Sequence, residues 1–328
     1  MRRRDFITLL GGAAAGWPLA ARAQQDGRVR RVGVLFSFPE TDQEAQARYK
    51  AFREGLAGLG WIEGRNLRLD MRWAGPDVAR QQADARELVA LLPDVILTIS
   101  TTTTQAARDA TRSIPIVFVS LSDPVATGLI ANQARPEANV TGFMSYEYSL
   151  AGKWLGLLKD AAPRLARVAL LYHREVAAPY AAYYLRAAQE AGKPLGITAT
   201  ATGLIDAAEI EPAIAAMARP DDGGLMVPPG NRDIPAIIAL AAKYRVPAIY
   251  PARSYVAGGG LMSYAGDILQ SYRDGATYVD RILRGAKVSE LPVQFPTKFE
   301  LAVNLKTAKA IGLTIPESFL ARADEVLE

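Results

Sequence analysis

The stretch DVILTISTTTTQAARDATRSIPIVFVS, residues 94–120, decides the fold class. Asp94–Ser100 is an aliphatic and β-branched run of the kind a strand shows when both faces are covered. Thr103–Thr111 reads as a short helix, and Ile116–Ser120 is a second apolar run. Strand, helix and strand with short connections make a parallel βαβ unit, since a crossover helix is what returns the chain to the same end of the sheet.

The same rhythm extends to both sides. Upstream, Arg31–Phe36 and Asn66–Trp73 read as strands. The set Ala45, Tyr49, Phe52, Leu56 and Leu59 marks one face of a helix stopped by Gly60, and Pro76–Leu92 is a second helix. Downstream, strands are predicted at Val140–Met144, Val168–Tyr172, Gly196–Thr200, Gly224–Val227, Pro247–Tyr250 and Gly260–Tyr264. Helices fall near 149–162, 178–191, 207–218 and 232–244, and over Ile268–Leu283. The tail adds a strand at Phe299–Val303 and a short helix at Leu305–Ile311. Two αβ blocks predict two doubly wound lobes with helices on both faces of each sheet.

The chain has 328 residues, 22% charged, with no Cys and one His. That excludes disulfides, thiolate catalysis and Cys- or His-rich metal centres. Arg2, Arg3 and Arg4 precede an apolar stretch, Phe6 to Ala15, and Ala21-Arg22-Ala23 supplies a small-x-small cleavage site. This pattern predicts an export signal over residues 1–23, of twin-arginine form at Arg3-Arg4-Asp5-Phe6-Ile7. Its apolar part is too short to span a bilayer. Removal takes four Arg and one Asp from 38 basic and 34 acidic residues, which lowers the formal charge from +4 to about +1. Nucleic-acid binding then has no electrostatic basis.

G-x-S-x-G, G-x-x-x-x-G-K-[ST] and G-x-G-x-x-G are all absent. His173 would serve as a general base only with Ser and Asp partners that spacing does not reveal; the plain reading is a polar strand end. What stands out is polar and aromatic residues at strand carboxyl ends, where open αβ sheets bind ligands. Ser37 follows the first strand, Ser100 to Thr104 the third, and Ser120, Ser122 and Asp123 the fourth. Hydroxyls beside unpaired N–H groups at a helix start form a seat for a carboxylate, and helix capping is the alternative role for the same residues. Tyr146, Tyr148, Tyr172, Tyr250, Tyr255 and Tyr264 lie at later strand ends, either as stacking partners for a planar ligand or as core.

Several motifs together resemble the substrate-binding proteins of ABC transporters, a family some of whose members bind aromatic amino acids. They are RRDFITLLGG at 3–12, FREGL at 52–56, IPIVF at 114–118, DPV at 123–125 and NVTG at 139–142, with GGLMSY at 259–264, PTKFE at 296–300, NLKTAK at 304–309 and ARADEV at 321–326. The resemblance implies the type I periplasmic-binding fold: two lobes, three crossovers, a ligand cleft that closes, no catalysis and no cofactor. It implies lobe 1 as 28–122 plus 251–285 and lobe 2 as 123–250 plus 286–328. It also implies a periplasmic monomer that passes a small molecule to an ABC permease in the inner membrane.

By that likeness the ligand's polar head meets Ser37, Thr101, Thr102, Ser120 and Asp123, while Tyr146, Tyr172, Asn231, Tyr250 and Tyr264 complete the contact set. The sequence departs from the family at Pro136-Glu137-Ala138-Asn139, at Tyr172-His173-Arg174-Glu175, where an Asn-Pro pattern is expected, and at Pro228-Pro229-Gly230-Asn231. A secreted hydrolase or lyase using cleft carboxylates, or a ligand sensor for a membrane receptor, are the alternatives.

Overall fold

The computed structural model describes residues 28–328 except 122, 123, 126, 137, 145–147, 219–221 and 232, and the side chains of 176–180 lie outside the description. The export signal expected over 1–23 therefore falls outside the described residues. Among the described residues, no helix is long and apolar enough to cross a membrane.

The chain divides into two compact units. Unit 1 holds the described residues up to Val119, with Ala134–Gly142 and Tyr272–Pro292; unit 2 holds Ser120–Gln133, Phe143–Ser271 and Val293–Glu328.

Unit 1 is built on β1 (Arg30–Phe36), α1 (Gln43–Gly58), β2 (Leu67–Trp73), α2 (Val78–Ala90), β3 (Val95–Thr98), α3 (Thr101–Ala110), β4 (Ile116–Leu121) and β5 (Val140–Met144). Its sheet runs β2-β1-β3-β4-β5. β1 pairs in parallel with both β2 and β3, so the strand order reverses direction between β1 and β3. Val32, Val34, Ile96, Leu97, Val117 and Phe118 are fully buried. The edge strand β2 instead carries Arg68, Asp70 and Arg72 on a partly exposed ribbon, charges that discourage edge-to-edge pairing. Gly142 lets β5 approach β4: a Cβ there would lie 2.0 Å from the Phe118 carbonyl oxygen, at a φ of +154°.

Unit 2 carries α4 (Leu150–Ala161), β6 (Arg167–His173), α5 (Arg174–Gly192), β7 (Thr198–Leu204), α6 (Ile210–Met217), β8 (Gly223–Met226), α7 (Ile234–Lys243), β9 (Ala248–Tyr250), α8 (Arg253–Ala257) and β10 (Met262–Gly266). α9 (Ile268–Leu283) follows, then β11 (Phe299–Asn304), α10 (Leu305–Ala310), α11 (Glu317–Leu320) and β12 (Glu325–Leu327). The sheet order is β12-β11-β10-β9-β8-β6-β7. Alternation along β6 splits the core between the two faces. Val168 and Leu170 join Trp154, Tyr184 and Phe319 on one side, and Ala169 and Leu171 join Ile214, Ile237 and Tyr250 on the other.

The expected lobe boundaries change at 251–285. β10 pairs in parallel with β9 and antiparallel with β11, which places it in the seven-stranded sheet of unit 2. Periodicity marks a strand at 260–264 but not which sheet accepts it. From Tyr272 onward α9 belongs to unit 1, where two glycines set the contact: a Cβ on Gly55 would meet Ala276 Cβ at 2.9 Å, and one on Gly275 would meet Val119 at 2.8 Å. Trp61 Nε1 donates to Asp280 at 2.8 Å on the same helix. Ala134–Gly142 and 286–292 also fall in unit 1, so the chain changes unit more often than at three crossings.

Candidate functional site

Each unit has a point where strand order reverses, and a crevice opens outside the carboxyl ends of the flanking strands at such a point. In unit 1 it lies between β1 and β3. Ser37 follows β1; it is half-buried, and its hydroxyl has no hydrogen-bond partner among the described residues. Beyond β3, helix α3 starts two residues earlier than the sequence reading, because Ser100 caps it. Ser100 Oγ accepts from Thr103 N at 3.2 Å, while Thr103 Oγ1 accepts from Ser100 N at 3.1 Å. This reciprocal box outweighs the β propensity of a Thr run.

The four threonines consequently divide by role. Thr103 and Thr104 are fully buried; Thr104 Oγ1 donates to Ser100 O at 2.7 Å and lies 2.8 Å from Thr98 Oγ1. Thr102 Oγ1 lies 3.1 Å from Ser100 Oγ and is exposed. The Thr101 hydroxyl, and the backbone N–H groups of Thr101 and Thr102, have no acceptor among the described residues. Two free N–H groups and two accessible hydroxyls on the first helical turn can receive an anion.

On β4, Ser120 takes a φ of +68°, a left-handed conformation that a non-glycine residue adopts at a cost and that turns the chain as the strand ends. Asp123 and its neighbour Ser122 lie outside the described residues.

An aromatic group that the sequence reading missed flanks Ser37. Phe36 meets Trp73 edge-on at 5.0 Å, Tyr272 at 6.0 Å and Tyr49 at 6.1 Å, and Tyr49 meets Trp73 at 5.9 Å. Trp73 ends β2 in register with Phe36 and is only partly buried. Burial, with the Glu63 carboxylate adding to it and the Arg53 cation opposing, raises the Tyr49 phenol above its ordinary pKa.

In unit 2 the order reverses between β6 and β8. Asn231 bridges that point: its Nδ2 donates to Leu171 O on β6 at 2.9 Å and to Pro228 O at 3.0 Å. A recess there is lined by His173, Leu204, Asp206, Asn231, Asp233 and Ile237, among others. Tyr172, one residue before His173, turns to the opposite face of the sheet, where Gly203 makes room: a Cβ on Gly203 would lie 2.8 Å from the phenol oxygen.

Tyr264 sits on β10, stacked on Phe299 at 5.5 Å with Lys153 Nζ 5.8 Å above its ring. Tyr250 is a correction. Expected as a ligand contact, it is 1% exposed, packed among Val227, Ile237 and Ile238, and burial drives its phenol pKa upward. Gly260 permits that packing, since a Cβ there would lie 2.8 Å from the Tyr250 ring. Tyr255 is its ring neighbour, at 6.4 Å. Tyr146 lies outside the described residues; Tyr148 stacks on Tyr183 at 4.9 Å. The structure thus brings Ser37, Thr101 and Thr102 to the carboxyl edge of unit 1, whereas Ser120 is the first residue of a segment that belongs to unit 2. Asn231 and His173 meet at the carboxyl edge of unit 2. No group of three or more His, Cys, Asp or Glu residues suited to a metal ion occurs among the described residues.

Comparison with known proteins agrees with this architecture. The tyrosine-binding protein of Clostridioides difficile is 26% identical over 290 residues, covering 87% of this chain and 81% of the relative. A conserved domain protein from Vibrio cholerae superposes with a TM-score of 0.80 at 29% identity, over 91% of this chain and 100% of that one. An ABC domain from Streptococcus pneumoniae, solved with L-Trp, has a TM-score of 0.80 at 24% identity, over 91% and 99% of the two chains. These likenesses agree with the expected α/β architecture of type I periplasmic-binding proteins. The family model described as ABC transporter substrate binding protein matches residues 34–327, and this chain belongs to that family.

Proposed function

We propose that this chain is the solute receptor of an ABC importer, exported to the periplasm, where it binds an aromatic amino acid or aromatic carboxylate and delivers it unchanged to an inner-membrane permease. The observation that carries the reading is the start of α3. There, among the described residues, the N–H groups of Thr101 and Thr102 and the hydroxyl of Thr101 have no partner at the reversal of strand order, and neither has the hydroxyl of Ser37 at the end of the adjoining strand β1. A carboxylate satisfies them all, and the positive end of the helix adds to the attraction.

The half-buried rings of Tyr49 and Trp73, which pack on the fully buried Phe36 next to Ser37 in the chain, support a planar ligand, as does the tyrosine-binding relative. Ser120, Asp123, Tyr146, Tyr172, Asn231 and Tyr264 complete the proposed contacts; Tyr250 does not belong to them. The proposed receptor works as a monomer without cofactor or catalysis.

A thermal-shift screen of the mature chain tests this. L-Tyrosine, L-tryptophan and L-phenylalanine are compared with leucine and glucose. A ligand at about 100 times its Kd adds about 2.7 kcal/mol, a rise of several degrees for a protein of this size. A flat screen across the aromatic acids overturns the reading, and recovery of a converted compound overturns its non-catalytic part.

A further inference from the structure

Strand β7 ends the sheet of unit 2, and its own sequence gives it none of the usual protection of an end strand. It runs seven residues, Thr-Ala-Thr-Ala-Thr-Gly-Leu over Thr198–Leu204, with no charge and no proline. The end strands β2 and β12 differ. β2 carries Arg68, Asp70 and Arg72, and β12 is three residues long and opens with Glu325. A long uncharged edge is a template on which another strand can pair.

Thr198 N donates to Ala166 O, at the start of a parallel ladder with β6 that keeps its register to Leu204. Backbone direction alternates along a strand. Thr198, Thr200, Thr202 and Leu204 therefore bond inward, while Ala199, Ala201 and Gly203 turn their N–H and C=O groups outward. Two side chains of α5 reach over that outer side. Gln189 Nε2 donates to Ala199 O at 3.2 Å, and Arg174 Nη2 donates to Gly203 O at 2.8 Å. Glu209 steers Arg174: one carboxylate oxygen lies 3.5 Å from the guanidinium, and the other accepts from Ile205 N at 2.6 Å. Gly203 supplies the room, since a Cβ on it would lie 3.2 Å from Arg174 Cγ.

We propose that the β7 edge is a self-pairing surface that Arg174 and Gln189 keep closed, and that the occupant they exclude is the β7 edge of a second copy of this chain. The outward residues are symmetric about Ala201. An antiparallel pair about a two-fold axis sets Ala201 opposite Ala201 and Ala199 opposite Gly203, so every outward donor faces an acceptor. Such a pair makes six bonds, two on Ala201 O and four on Ala199 O and Gly203 O of the two copies. Those four end on the carbonyls that the α5 side chains already cover. No charge on the strand opposes the pairing. The inference goes beyond the receptor reading and holds whichever ligand binds.

Analytical ultracentrifugation and amide exchange of the mature wild-type chain and of the double variant Arg174→Ala, Gln189→Ala test this. Both side chains lie at the surface, so the double variant should fold. The wild type should sediment as a single chain, with fast exchange at the amides of Ala199, Ala201 and Gly203. The double variant should form a dimer and nothing larger, associating at least about thirtyfold more tightly than the wild type, with those three amides slowed. Adding Ala201→Pro removes the central donor, leaves the ladder to β6 intact and should restore the single chain. A double variant that stays single overturns the proposal, as does one that associates while the three amides remain fast. A wild-type chain that already pairs through those amides overturns it too. Should the proline variant not fold, the three amides of the double variant still decide.

Discussion

Replacing Thr101 by Val removes a hydroxyl and keeps the shape of the side chain. That hydroxyl has no hydrogen-bond partner among the described residues, so the fold should lose less than about 0.5 kcal/mol. A hydroxyl bonded to a carboxylate contributes about 1.5–3 kcal/mol, which is a loss of roughly ten- to a hundredfold in affinity. Thr102→Val should act in the same direction; among the described residues the Thr102 hydroxyl makes one hydrogen-bond approach, 3.1 Å to Ser100 Oγ. Thr104→Val is the counterpart. It deletes the 2.7 Å bond to Ser100 O and strands the buried Thr98 hydroxyl, a stability cost of about 1–3 kcal/mol and a few degrees of Tm. Calorimetric titration of each variant with L-tyrosine and with L-tyrosinamide separates the roles. Thr101→Val and Thr102→Val should weaken the acid, keep their Tm, and bind the amide about as weakly as the parent does. Thr104→Val should melt early and bind the acid normally once folded. Parental affinity for the acid in both Thr101→Val and Thr102→Val would refute the carboxylate seat at α3.

Other consequences reach the fold and the proposed export signal. Gly142→Ala forces a Cβ to within 2.0 Å of the Phe118 carbonyl oxygen and should cost about 3 kcal/mol or more in urea unfolding; a loss under about 1 kcal/mol would show that β4 and β5 are not held that closely. The Arg253 guanidinium holds the Glu325 carboxyl below its ordinary value of 4.5, so the stabilisation is present above that pH and is lost as pH falls through the lower folded value. The protection factor of the Glu325–Leu327 amides, taken against the intrinsic exchange rate at each pH, should therefore fall on acidification, and Glu325→Gln should show the lower protection already at neutral pH with little further acid response. Changing Arg3 and Arg4 together to Lys should leave the precursor in the cytoplasm, as fractionation would show, whereas continued export would point to the general secretion route.

Regular elements were the most legible part of the sequence. Ile268–Leu283 and Val140–Met144 have the same bounds in the structure, since each carries its own period and stop signals. Long-range pairing was not legible. The 260–264 strand was visible as a strand, but its place between β9 and β11 depends on a tail some forty residues later. Helix α8 and strand β12 are too short to show a period.

At the site, the Thr run stood out because four like residues adjoin a strand end, yet which hydroxyls are free depends on the Ser100–Thr103 box, a tertiary detail. Trp73 and Tyr49 were missed because only folding brings them to Phe36, and Tyr250 was misread because a strand-end tyrosine looks the same whether it faces ligand or core. His173 reads as a plain strand end in the sequence; that its Nδ1 has no partner among the described residues appears only once the end of β7 and helices α6 and α7 converge on the end of β6.

The most direct test of the receptor reading is isothermal titration of the mature wild-type chain with L-tyrosine, followed by mass spectrometry of the recovered compound. A receptor takes up one molecule per chain, saturably, and returns it unchanged. No heat at millimolar tyrosine, tryptophan or phenylalanine, or return of a chemically altered compound, would contradict it.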